Sequence, residues 1–170
     1  EDWVKDKQYY LATGSPRNKT ISQIGMQLAT TSSGGYHCLG NSIWPAHGHE
    51  IETNYIHFTD DEMEHLNAFY SHSKFDQKAN WEEVIDHRRG SVNYSLCKRG
   101  GSMEERAEYM EFDKEYNERE NFVYQLNTTF PRFDCYLGGA CSVDIVLRGA
   151  NKRQIIDLIY EANEDKIYFF

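Results

Sequence analysis

Basic residues, prolines and long apolar runs are all scarce in this chain. Lys and Arg number 18 against 27 Asp and Glu, a formal net charge of −9. That sign repels phosphate backbones and anionic bilayers, which makes nucleic acid and membrane surfaces poor partners. No uninterrupted apolar stretch approaches the roughly 18 residues a spanning helix needs, which excludes a membrane span. No G-x-S-x-G, Walker A, dinucleotide-binding or H-E-x-x-H pattern occurs, so the chain reads as no enzyme. The spacing in CYLGGAC is not that of a zinc finger, and His47 and His49 of HGH read as loop histidines. Neither a metal nor a cofactor is expected. At 170 residues, one domain over 1–170 is expected, large enough to bury a core.

What is present favours an oxidising route. Cys38, Cys97, Cys135 and Cys141 are even in number, as disulfide frameworks require. Three N-x-S/T triplets stand at Asn18 (NKT), Asn93 (NYS) and Asn127 (NTT), each a candidate glycosylation site. Together they predict a secreted, extracellular glycoprotein. No leader is visible, which a mature secreted chain would have lost.

Along the chain, period-2 alternation dominates. HEIETNYIHF sets Ile51, Thr53, Tyr55 and His57 on one face. SVNYSLC sets Val92, Tyr94 and Leu96 opposite Asn93. RAEYMEF reads as a strand, and NFVYQLNTTF reads as the clearest one, with Phe122, Tyr124, Leu126, Thr128 and Phe130 on one side. RFDCYLGGACSVDIVLRG predicts a hairpin around Gly138 and Gly139. Between them, residues 59–87 form a partly helical excursion, opened by the capping-box pair Thr59 and Glu62. Asn151 and Gln154 open a last helix whose stripe is Ile155, Leu158, Ile159 and Ala162, and KIYFF closes as a strand. The fold class expected is mainly β: an eight-stranded antiparallel up-and-down barrel, a C-terminal helix packed outside it, and a final short strand.

In order and in short segments the chain resembles the tick salivary lipocalins, in their histamine-binding and Japanin-like groups. QYYLATGS is similar to that family's first strand and YHCLGN to its second; AEYMEF, NFVYQL, FDCYLG and VDIV follow in order, and the closing helix precedes KIYFF. The likeness covers most of the chain outside 59–90. It departs in lacking cysteines in or after the last helix. Of the three connectivities that four cysteines allow, Cys135–Cys141 with Cys38–Cys97 is the pairing adopted.

The resemblance implies a barrel that sequesters a small molecule and modulates host immune or inflammatory responses. Tyr109, Phe122 and Asp144 match its ligand positions, with Glu111 and Tyr124 as neighbours. A hydrophobic ligand (sterol, fatty acid or eicosanoid) suits the apolar inner face. A biogenic amine, histamine or serotonin, is the alternative, since a cation would offset a buried carboxylate and lie over aromatic faces. A third reading makes the barrel a scaffold, with the 59–87 excursion contacting a host immune protein or cell surface.

Overall fold

The computed structural model describes residue 4, residues 6–52 and residues 54–162, and it divides into two units, 1–55 with 149–170, and 56–148. The expected barrel does not form. Each unit carries its own open four-stranded sheet, and seven α-helices occur among the described residues. The chain is mixed α/β. The closing strand expected at KIYFF lies outside the described residues.

In the unit 1–55 with 149–170, β1 (Tyr10–Ala12) and β2 (Gly34–His37) run parallel, Tyr10 opposite Gly34. Parallel neighbours need a crossover, and α1 (Arg17–Ile24) and α2 (Met26–Thr31) supply it. Pro16 precedes α1, and Gly25, at φ 88, separates the two helices. From β2 the chain turns through a 3-10 segment at Cys38–Gly40 into β3 (Ser42–Pro45), which pairs with β4 (Ile51–Glu52). The turn demands glycine at one position: Gly40 has φ +95, and a Cβ there would fall 2.8 Å from Ile155 Cγ1. Ile155 lies in α7 (Arg153–Ala162), which starts where the sequence signalled, Asn151 Oδ1 accepting the Arg153 N–H at 2.9 Å. Of its expected stripe, Ile155 and Ile159 are buried while Leu158 is exposed. Asn41, wholly buried, joins the turn to this helix. Its Nδ2 donates to the carbonyls of Cys38 (2.8 Å) and Ala150 (3.2 Å), and its Oδ1 accepts from Asn54 (2.6 Å) and Gln154 (3.1 Å).

The 56–148 unit contains α3 (Asp60–His72), α4 (Trp81–Val84), β5 (Ile85–Arg88), β6 (Ser91–Ser95), α5 (Met103–Tyr116), α6 (Glu118–Thr129), β7 (Phe133–Gly138) and β8 (Ser142–Leu147). Its strands pair antiparallel throughout in the order β5-β6-β8-β7. One face of the sheet gives Val92, Tyr94, Val143, Ile145, Phe133 and Cys135 to the core, and α3, α5 and α6 cover it with Leu66, Tyr109, Phe122 and Leu126.

Two segments read as strands are helices. RAEYMEF lies in α5, whose Ser102 and Glu105 form a capping box, and NFVYQLNTTF lies in α6. Phe122, Leu126 and Phe130 recur every four residues, a spacing that keeps one face in a strand and nearly one face in a helix. The residues between them decide it. Tyr124, which a strand would turn inward, is 71% exposed.

The capping box at Thr59 and Glu62 forms as read, and Glu62 does a second task. Its carboxylate receives Arg132 Nε at 2.6 Å while Glu62 itself is buried. Burial pushes that carboxyl up, but the Arg132 guanidinium and the Thr59 amide outweigh burial and hold it below the ordinary glutamate value. A depressed folded value means stability present at neutral pH and lost as pH falls through that value. We therefore expect Glu62→Gln to be destabilising at pH 7, with the gap from the parent closing below about pH 4.5 in urea titrations at stepped pH. A gap that widens on acidification would contradict the pairing.

Candidate functional site

The other face of the β5-β6-β8-β7 sheet is mostly polar, with Val146 of β8 buried on it opposite Ser91. Strand register lines up one row across all four strands: Asp86 opposite Asn93, Asn93 opposite Asp144, and Asp144 opposite Tyr136. Alternation on each strand sends these side chains away from the core, because Ile85, Val92, Tyr94, Val143, Ile145 and Cys135 take the inward positions. Beside the row, Arg88 closes β5, and Arg99 comes from the segment between β6 and α5.

These groups are pre-paired. Arg88 Nε lies 2.8 Å from Asp86 Oδ2 and its NH1 3.8 Å from Asp144 Oδ1; Arg99 NH1 lies 2.8 Å from Asp86 Oδ1. Asn93 Nδ2 donates to Asp144 Oδ1 at 2.8 Å, and Arg99 Nε to the Glu83 carbonyl at 2.8 Å. Burial raises the Asp86 carboxyl, but the Arg99 and Arg88 guanidiniums overcome that and hold it below the ordinary aspartate value. Asp86 is therefore an anion at neutral pH, and the two cations and two carboxylates balance. Gly138 leaves room at the β7 end, since a Cβ there would stand 2.8 Å from Asp144 Oδ2 and 2.9 Å from Ser142 Oγ.

Chemically, such a face binds and orients. Guanidiniums fork onto phosphate oxygens, while carboxylate and amide oxygens accept sugar hydroxyls. The Ser95 and Ser142 hydroxyls donate to backbone carbonyls, of Cys141 at 2.9 Å and of Gly138 at 2.7 Å, so neither hydroxyl hydrogen is turned toward a base. They are not poised as nucleophiles. Among the described residues, no group of three or more His, Cys, Asp or Glu could hold a metal ion.

Of the residues expected to hold ligand, Asp144 alone stands on this face. Tyr109 is buried in α5 with its hydroxyl donating to Glu118 Oε2 at 2.9 Å, and Phe122 is core. Glu111 and Tyr124 are exposed on α5 and α6. These five do not converge on a cavity. Of the candidate glycosylation sites, Asn18 is exposed on α1, whereas Asn93 spends its Nδ2 on Asp144. Asn127 Nδ2 donates to the Cys135 carbonyl at 3.1 Å and its Oδ1 accepts the Cys135 N–H at 2.8 Å. A glycan on Asn93 or Asn127 would take one of the two Nδ2 hydrogens and leave the other for the bond described. Cys38, Cys97, Cys135 and Cys141 are all buried thiols. Register places Cys135 opposite Ile145, four residues along β8 from Cys141 and so roughly 13 Å away, too far for the bond expected between them. Cys38 and Cys97 belong to different units. The residues that sequence reasoning missed, Asp86, Arg88 and Arg99, flank the hairpin turn in IDHRRGS and the loop in CKRGG, where charge reads as solvated turn.

A family model described as eukaryotic phosphomannomutase matches residues 13–170. A phosphomannomutase of Arabidopsis thaliana is 26% identical over 178 residues, covering 99% of this chain and 72% of that protein. Phosphomannomutase 1 of Mus musculus is 39% identical over 90 residues, covering 51% of this chain, and the match spans only 34% of the mouse protein. Among solved structures, a HAD subclass IIB sugar phosphatase superposes with a TM-score of 0.55 at 15% identity, over 96% of this chain and 65% of that one. That likeness shows a HAD-type α/β fold. These matches overturn the lipocalin resemblance. With it go the sequestered lipid or amine, the immune partner, the interaction scaffold and the non-enzymatic reading.

Proposed function

The chain belongs to the eukaryotic phosphomannomutase family, and from that premise we propose that the polar face of the 56–148 sheet holds a phosphorylated hexose for phosphoryl transfer. The observation that carries this is the row Asp86, Asn93, Asp144 and Tyr136 with Arg88 and Arg99 beside it. A phosphate dianion competes with Asp86 for the two guanidiniums, and a fork of N–H donors matches its oxygens. Asp144, fixed by Asn93, accepts hydroxyl hydrogens from the ring, and Tyr136 offers an apolar edge with a polar tip. The relatives' name, phosphomannomutase, selects mannose phosphates as the first ligands to try. This face contributes binding and orientation, which alone can supply a large part of a phosphotransferase's rate.

Calorimetric titration of the protein with mannose 6-phosphate and with mannose tests this. Mannose 6-phosphate is expected to bind and mannose to bind far more weakly, with a loss of about tenfold or more in Arg99→Ala, the scale of one charge-assisted contact. Absence of binding, or equal affinity in Arg88→Ala, Arg99→Ala and the parent, would remove this face as the site.

A further inference from the structure

We infer that Cys97 and Cys141 are a disulfide-forming pair, closed by a peroxide and reopened by a thiol, that ties the Arg99 segment to the β7–β8 turn. Both lie in the 56–148 unit. Ser95 of β6 stands opposite Ser142 of β8, so Cys97 follows that pair by two residues and Cys141 precedes it by one. The Ser95 hydroxyl gathers both backbones, reaching the Cys141 carbonyl at 2.9 Å and the Cys97 carbonyl at 3.4 Å. The Cys141 thiol lies near enough to Cys97 to push that thiol up, and Cys141 Sγ donates to the Arg106 carbonyl at 3.8 Å. Carried one step on, the register would set Leu96 opposite Cys141, so Cys97 meets Cys141 diagonally where the two strands end, and a bond requires their Cα atoms within about 7 Å. Arg119 braces the turn from its other side, donating to the Gly139 carbonyl at 3.2 Å.

The chemistry balances with hydrogen peroxide as oxidant. One thiol, as its thiolate, displaces hydroxide from the peroxide to give a sulfenic acid, and with the released proton this leaves one water. The second sulfur attacks the sulfenic sulfur, forming the S–S bond and releasing a second water. Two thiols are oxidised by two electrons and one peroxide is reduced. Burial, then the hydrogen bond and charge of Cys141, push the Cys97 thiol far up, against the smaller pull of Arg106 and Arg119. Closure is therefore slow, as for a buried structural cysteine.

The test uses the full chain, fully reduced, treated with hydrogen peroxide, alkylated in denaturant and digested without reductant for mass spectrometry. One cross-linked peptide pair, Cys97 to Cys141, is expected, with Cys38 and Cys135 alkylated and the link lost in dithiothreitol. Closing a long loop should raise the thermal midpoint by several degrees. Hydrogen exchange at residues 98–101 should slow in the oxidised form. Four alkylated thiols after treatment would overturn the inference, as would Cys38 or Cys135 paired with either cysteine. A bond with unchanged exchange at 98–101 would overturn the tie. Cys141→Ser should leave Cys97 uncross-linked, and the parent's peptide map decides the matter should that variant not fold.

Discussion

Phe122→Ala is expected to cost the 56–148 unit roughly 3–5 kcal/mol, while Tyr124→Ala, two residues on, should cost no more than about 0.5 kcal/mol. Phe122 is 1% exposed, its ring stacked on Phe69 at 4.0 Å and tilted against Tyr94 at 4.6 Å. Removing it takes away apolar burial and leaves a cavity between α3, α6 and β6, whose rings cannot collapse without breaking their own contacts. Tyr124 points into solvent from the same helix, so its loss removes little. Urea unfolding of the two variants, followed by native-state hydrogen exchange in β6 and β8, measures both. Equal losses at the two positions would mean the segment is paired as a strand, since a strand buries both.

Asn41→Ala should cost the unit 1–55 with 149–170 roughly 2–4 kcal/mol, a large effect for one short polar side chain. Four hydrogen bonds end on that amide, and none of its atoms is exposed. Alanine would remove all four bonds and leave the buried turn a polar void, although the Cys38 carbonyl keeps the backbone N–H of residue 41 at 3.1 Å and Gln154 Nε2 keeps the Leu39 carbonyl at 2.9 Å. The loss should show as faster amide exchange across β2, β3 and the first turn of α7 together. Asn41→Asp should fare no better, because it keeps the acceptor, deletes two donors and buries a charge. A change within about 0.5 kcal/mol for Asn41→Ala would show that the network only decorates the turn.

Clear periods were a partial guide: HEIETNYIHF alternates as a strand should, yet among its described residues only Ile51–Glu52 pairs as one, with Ile51 and Tyr55 exposed and Ile56 buried. The alternation of SVNYS and the Gly-Gly hairpin of FDCYLGGACSVDIV are strands and hairpin as read, and Thr59 with Glu62 and Asn151 do open helices. The larger failure came where the periods coincide, at Phe122, Leu126 and Phe130, whose spacing suits either element. There the deciding signal lay upstream: Ser102 with Glu105 is the same capping box as Thr59 with Glu62, and Asn117, at φ 51, is a sharp break between two helices. Once α5 and α6 counted as strands, a sheet long enough to close became the natural conclusion. The site suffered from the same choice. Asp144 was singled out, but its row partners Asp86 and Asn93 and the cations Arg88 and Arg99 become neighbours only through the β5-β6-β8 register, which spans more than a third of the chain. No local spacing carries that information.

The Asn127 side chain has a consequence beyond its own two hydrogen bonds. β7 is the outermost strand of its sheet, and an outermost strand ordinarily presents a bare ladder of amides to any other extended chain. By offering one acceptor to the Cys135 N–H and one donor to its carbonyl, Asn127 stands in for a single residue of a missing neighbour. The rung most central to β7 is thus filled from within the molecule, and an incoming strand would have to evict a helix residue before it could zip onto that border.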